Sequence, residues 1–280
     1  MSSHAREKAF ICEEFTSIDT DIRGILQAHG DKTVNCVVFS PNGEQILTGA
    51  YDMTAKIFNV GNGKEMQCID GFKGPVLSAT FTVDSSCVVA GSSKGQLVVI
   101  DASNGKALQR IEHAHAGKIN SVTASADGKL LATAGSDKCA KVWHVGASGQ
   151  WALIKTLKMA EEVTCVAWSP DQLLLAASST DSTVRVYHAS DGWNELARIK
   201  GHTDEVNGVS IINKGNRTLL ATASDDKQAL IFDISAICVQ LKVAAAKSGK
   251  AVCQITAGLP DGAETAPVSV GDPADMEGLD

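Results

Sequence analysis

Five stretches of this chain carry one pattern at nearly constant spacing: ILTGAYDMTAKIFNV, VVAGSSKGQLVVIDA, LLATAGSDKCAKVWHV, LLAASSTDSTVRVYHA and LLATASDDKQALIFDI. Each reads as an apolar strand ending in small residues, a tight turn, and a second strand closing on a large apolar residue. The turn position holds Asp52, Lys94, Asp137, Asp181 and Asp226, at intervals of 42, 43, 44 and 45 residues. Phe58, Ile100, Trp143, Tyr187 and Phe232 follow each of these at the same intervals. A period in the low forties means a stacked or radial array of one small unit.

The last copy shows what that unit is. VNGVSII alternates apolar with small or polar residues, as a half-buried strand does. NKGNRT is a turn, LLATAS a second strand expected to be buried on both faces, QALIFDI a third strand and CVQLKV a fourth. Four short strands per repeat predict an all-β fold, a β-propeller of four-stranded antiparallel blades. One such sheet cannot hide both faces, so the core is expected at the interfaces between blades.

At these residues the chain resembles the WD-repeat family, over about residues 24–243. Repeat three has His115, Thr133, Asp137 and Trp143, and repeat five has His202, Thr222, Asp226 and Phe232. The resemblance implies a hydrogen-bonded chain through these side chains inside each blade, which leaves a buried imidazole fully satisfied. Repeat one keeps His29, Thr48 and Asp52 but has Phe58 in place of an indole. Repeat four keeps only Asp181, with Ala177 and Tyr187; repeat two has Ala90, Lys94 and Ile100, and is expected to be held by apolar packing.

Five blades are clear. The stretches DIRGILQ, AFICEEF and AVCQIT suggest a partial or composite sixth, so the expected division is an N-terminal segment 1–23, a propeller 24–257 and an acidic tail 258–280. The tail holds six acids and no Lys or Arg, whereas the whole chain carries −7, leaving a body near neutrality with no electrostatic pull on nucleic acid. Its Pro, Gly, Ala and acid composition reads as disorder. The eight cysteines form no CxxC pair, which speaks against zinc or a disulfide framework. Cys36 and Cys165 share a repeat position with Ser78, Ser121 and Gly208, where small size is the common property. The N-terminus has no signal-type apolar run and no stretch is long enough to span a membrane, so a cytoplasmic or nuclear location is expected.

The His, Asp and Thr sets recur at blade positions rather than once at a pocket, so they read as structural and not catalytic. The Gly-Lys pairs lack a following Ser or Thr and read as turns, not phosphate loops. His113 and His115 lack further ligands, and no metal or cofactor is expected. His144 and His188 read as exposed turn residues. Trp151 and Trp193 either pack an outer strand or anchor a partner on the side of the propeller.

The resemblance places the partner-binding face on loops before the first strand and between the second and third strands of each blade. That maps to Tyr51, Ser93, Ser136, Thr180 and Asp225, with Asp31, Lys32, Lys73, Lys118, Glu161, Glu162, Asp204 and Glu205. The mixed charge suits a protein or peptide rather than a polyanion, and no membrane or small-molecule substrate is expected. The expected function is a non-catalytic scaffold for protein–protein interaction in a multiprotein complex. The competing readings are a substrate-recognition subunit of a ubiquitin ligase, which would need extra adaptor-binding segments, and an enzyme with polar residues converging in the channel.

Overall fold

The computed structural model describes residues 26, 28–146, 151–189 and 192–237. Among these, the strands assemble into sheets in chain order, each strand antiparallel to the one before it. Blade one is β1 (Val34–Phe39), β2 (Gln45–Ala50), β3 (Ala55–Asn59) and β4 (Glu65–Ile69). Blade two is β5 (Val76–Phe81), β6 (Cys87–Ser92), β7 (Leu97–Asp101) and β8 (Ala107–Ile111). Blade three is β9 (Ile119–Ala124), β10 (Leu130–Gly135), β11 (Cys139–Val145) and β12 (Trp151–Lys158). Blade four is β13 (Val163–Trp168), β14 (Leu174–Ser179), β15 (Val184–His188) and β16 (Glu195–Ile199). Blade five shows β17 (Val206–Lys214), β18 (Arg217–Ser224) and β19 (Ala229–Asp233). Its expected fourth strand, CVQLKV, lies outside the described residues, as do AFICEEF, AVCQIT, nearly all of DIRGILQ and the acidic tail.

The first turn of each blade has a local cause. In blades one to four a Ser or Thr hydroxyl bonds the Asn or Asp two residues on: Ser40–Asn42 2.6 Å, Thr82–Asp84 2.6 Å, Ser125–Asp127 2.6 Å and Ser169–Asp171 2.5 Å. Such side-chain bonds close a loop between strands. Blade five lacks the pair. Its strands run on, and the expected NKGNRT turn shrinks to Gly215 and Asn216, with Lys214 paired to Arg217.

The first strands of consecutive blades touch, β1 on β5, β5 on β9, β9 on β13 and β13 on β17. The apolar core is divided accordingly. One cluster joins Leu47 and Ile57 of blade one to Val76, Ala79 and Phe81 of blade two. A second joins Val89 and Val99 of blade two to Ile119, Val122 and Trp143 of blade three. A third joins Ala132 and Val142 of blade three to Val163, Val166 and Tyr187 of blade four. Each cluster is an interface, so a blade is stable only when its neighbours cover it.

The second strands β2, β6, β10 and β14 are buried along almost their whole length. β18 departs from the expectation that LLATAS is covered on both faces: Leu220 and Thr222 are buried while Ala221 and Ala223 are exposed. The sequence is as apolar as its counterparts, but no described residue covers that side.

Candidate functional site

The blade hydrogen-bond sets come first, because they hold the loops above them. In blade three His115 Nδ1 lies 2.7 Å from Asp137 Oδ1 and Nε2 lies 2.8 Å from Thr133 Oγ1. Trp143 Nε1 donates to the same Thr133 oxygen at 3.0 Å. With Asp137 ionised, the imidazole donates through Nδ1, the Thr133 hydroxyl donates to Nε2, and the indole N–H donates to Thr133, so every buried group has a partner. Blade one repeats this through His29, Asp52 (2.8 Å) and Thr48 (2.8 Å), and blade five through His202, Asp226 (2.7 Å) and Thr222 (2.7 Å).

The charges agree with that tautomer. Burial alone would raise the Asp137 carboxyl, but the hydrogen bond from His115, the Ala116 amide and the nearby Lys141 charge outweigh it and hold the group at about 2. Burial lowers His115 below its ordinary value despite the facing carboxylate, which keeps the ring neutral. Thr133 is fully buried and its oxygen is occupied on two sides, so it offers no nucleophile to a substrate.

Blades two and four fill the same space by other means. Phe72 and Met159 stand where His115 stands in blade three, and both are buried in the clusters between blades. In blade four Asp181 caps the Thr183 amide at 3.1 Å, and the Arg185 guanidinium lies 3.6 Å from it. In blade two Gln96 is buried and bonds both the Lys73 amide (3.2 Å) and Glu112 (3.2 Å).

Above these sets lie the loops. Five equivalent backbone bonds tie the second-to-third strand turn to the loop before the first strand: Tyr51 to Thr33, Ser93 to Pro75, Ser136 to Lys118, Thr180 to Glu162 and Asp225 to Glu205, all at 2.8–3.0 Å. The predicted loop residues therefore do share one end of their blades. Tyr51, Lys32, Lys118, Asp204 and Asp225 are exposed, while Ser93, Ser136, Thr180 and Glu162 are half-buried. Several are already engaged: Ser136 Oγ accepts from the Lys118 amide at 2.8 Å, and Asp225 Oδ1 accepts from Asn207.

A recess of about 550 Å³ opens at this end across blades three, four and five. It brings together the predicted Ser136, Thr180, Glu161, Glu162 and Glu205 with Asn120, Lys138, Thr164 and Asn207. Tyr51, Ser93, Lys32, Lys118, Asp204 and Asp225 lie outside its lining. Lys138 pairs with Glu161 at 2.8 Å, which leaves carboxylates in excess.

Asn120, Thr164 and Asn207 were not singled out by the sequence, yet a repeat signal marks them. They are the second residues of β9, β13 and β17, matching Asn35 and Leu77. The ladder to the second strand skips this position in every blade, as between Val163 and Cys165. A bulged residue is free to turn its side chain away from the ladder. Asn35 donates to the Val76 carbonyl and Asn120 to the Val163 carbonyl, each at 2.8 Å, and Thr164 donates to the Val206 carbonyl. The small residues after the bulge also bridge blades, since Ser78 Oγ accepts from the Val122 amide at 3.0 Å.

The remaining candidates settle as packing. Trp151 is buried and exchanges two bonds with Gln109 (2.6 and 3.2 Å), and Trp193 stands edge-on to Trp168 with centroids 5.8 Å apart. His144 and His188 sit in β11 and β15 rather than in turns; His144 is exposed and His188 half-buried. Burial raises the Cys36 thiol to about 11, so it is no thiolate. Among the described residues no three His, Cys, Asp or Glu side chains gather into a metal cluster, and no helix is long and apolar enough to cross a membrane.

Comparison with known proteins gives the same frame. The model of the WD domain, G-beta repeat, matches residues 21–59, 105–144, 151–188 and 193–233. Most of blade two is unmatched, whereas blade four, which also lacks the hydrogen-bond set, is matched. The chain is 28% identical over 177 residues to yeast U3 small nucleolar RNA-associated protein 12, covering 58% of this chain and 18% of that protein. It is 27% identical over 167 residues to rice small ribosomal subunit protein RACK1y, covering 56% and 48%. It is 26% identical over 207 residues to the zebrafish p21-activated protein kinase-interacting protein 1-like, covering 74% and 53%. The chain thus spans about half or less of the length of these relatives. With five in-phase blades, three His–Asp–Thr sets and a family match over more than half its residues, the chain belongs to the WD-repeat family.

Proposed function

We propose that this chain is a non-catalytic docking platform that holds a protein or peptide segment on the loop end of its blades. The observation that carries the reading is the recess across blades three to five, where residues from three repeats converge on a rigid support. Its lining is polar and rich in carboxylates, which favours a segment offering hydrogen-bond donors or basic side chains. Relatives named for a kinase interaction and for a ribosomal subunit support an assembly role. The buried state of the Thr133 hydroxyl speaks against hydrolysis.

The test is affinity capture with the tagged chain, comparing wild type with Glu162→Ala, Thr180→Ala and Tyr51→Ala, and with Leu108→Ala on the outer strand β8 as a control. A defined partner set retained by Leu108→Ala and lost by Glu162→Ala and Thr180→Ala supports docking at the recess. Loss only with Tyr51→Ala moves the site to blade one. Equal capture by all variants removes the loop end from the function.

A further inference from the structure

Among the described residues, the first and last blades each leave exposed a side that is buried between blades elsewhere in the array. Inside the chain, each blade offers its first strand to the blade before it. Val76, Ile119, Val163 and Val206 are fully buried there, and Ala79, Val122, Val166 and Val209 are at most 9% exposed. In blade one the matching residues are Val34 and Val37, and with Phe39 they are 46%, 65% and 62% exposed. Each blade offers its opposite side to the blade after it. Ile57, Val99, Val142 and Val186 are fully buried on that side, whereas the matching Ile231 of blade five is 74% exposed. An isolated apolar side chain at a surface means little, but a set at interface positions on each end does.

The details are complementary. Small residues on the forward side let the next first strand approach: a Cβ on Gly49 would lie 2.6 Å from Val76, and one on Gly91 2.5 Å from Ile119. Blade five has Ala223 at that position, exposed, and blade one has the unmatched Val34. The bulge side chains Asn35 and Asn120 donate to the first carbonyl of the following blade. Asn207 is the equivalent donor in blade five and the Val34 carbonyl the equivalent acceptor in blade one; Asn207 turns instead to Asp225.

We propose that this chain self-associates head to tail, the exposed side of β18 and β19 in one copy receiving β1 of a second copy. The occupant is a second copy because the same molecule carries both halves of a contact that it already makes four times internally. Such a contact is heterologous: it grows into open chains unless the rotation closes a ring.

The experiment uses the full chain and two variants on exposed positions, Val37→Asp and Ile231→Asp, each checked for wild-type far-ultraviolet circular dichroism. Light scattering between about 1 and 100 µM should show wild-type mass rising with concentration, with each variant weakened by about tenfold or more. Mixing the variants should restore a species of two chains and no larger one, since each retains the face the other lost. A wild-type chain monomeric throughout that range overturns the proposal and leaves the faces to residues outside those described. Self-association that survives in both variants, or a mixture that stays monomeric, overturns it as well, by pointing to a symmetric contact or to another surface.

Discussion

Blades two and three are neighbours with the same strand order and almost the same register, yet they are held by different chemistry. Blade three has a buried chain of His115, Asp137, Thr133 and Trp143. Blade two has Phe72, Ala90 and Ile100 at the matching positions, all apolar and all buried. The alternation of apolar residues builds the blade, and the polar set is one of several ways to fill the space beside it. A polar set adds directional bonds, but every member must be satisfied, whereas an apolar filling only has to fit.

The turns show the same substitution of means. The residue after the turn position takes a left-handed conformation in all five blades: Met53, Gly95, Lys138, Ser182 and Lys227, with φ of 65°, 73°, 61°, 64° and 70°. Four of them are not glycine, and each follows an Asp. Asp52, Asp181 and Asp226 bond the amide two residues on, which holds the turn against the cost of that conformation. Blade two has Lys94 in place of Asp and Gly95 after it, where positive φ carries no penalty. Gly95 also meets blade three, because its carbonyl accepts from the His115 amide at 3.1 Å and an added Cβ would stand 2.1 Å from the His115 oxygen.

The contrast can be broken at four points. Gly95→Ala should have the largest effect, about 3–4 kcal/mol by chemical denaturation, because the clash is with backbone and the conformation disfavours alanine. A small loss would mean the blade-two turn can move away from blade three. Phe72→Ala should cost about 3 kcal/mol through the cavity it leaves between blades one and two. If it costs less than the polar changes below, blade two is not held by apolar filling.

His115→Phe places the blade-two residue in blade three. It should cost about 2 kcal/mol, because Asp137 and Thr133 lose their partner. That cost depends on pH with a definite sign. His115 is held below its ordinary value, so its contribution is fully present above about 6.5, where the unfolded chain is neutral, and fades as pH falls. The gap between His115→Phe and wild type should therefore narrow from pH 8 to pH 5, with the Asp137 contribution fading only below about 3.9, toward the folded value of about 2. A gap that widens on acidification would show the ring is charged in the fold. Trp143→Phe should be the mildest, about 1 kcal/mol, since Phe58 and Phe232 occupy the same position in blades one and five.

The sequence exposed the repeat most clearly where side chains at fixed intervals do the same job. The strand order within the five clear blades, the three imidazole sets and the apolar nature of blade two were all legible from residues such as Asp137 and Ala90; the expected partial sixth blade falls outside the described residues. The recess was only half legible. Ser136 and Thr180 follow from the turn positions and Glu162 from the loop before a first strand, but Asn120, Thr164 and Asn207 reach the loop end only because a bulge in the first strand turns them out of the ladder. A bulge depends on register with the neighbouring strand, which alternation in one strand does not reveal. The Trp151 and Trp193 alternatives were resolved by contact with Gln109 and Trp168, both distant in sequence.

The sequence by itself determined the unit. A 42–45-residue pattern of small sheets allows few folds, because a lone sheet must find a neighbour on each side. Only the tertiary structure decided which sides are left without one among the described residues. LLATAS in β18 is as apolar as LLATAG in β10, yet Ala221 and Ala223 face solvent while Ala132 and Ala134 are buried. Burial is a property of what stands opposite a residue, and no residue carries that information alone.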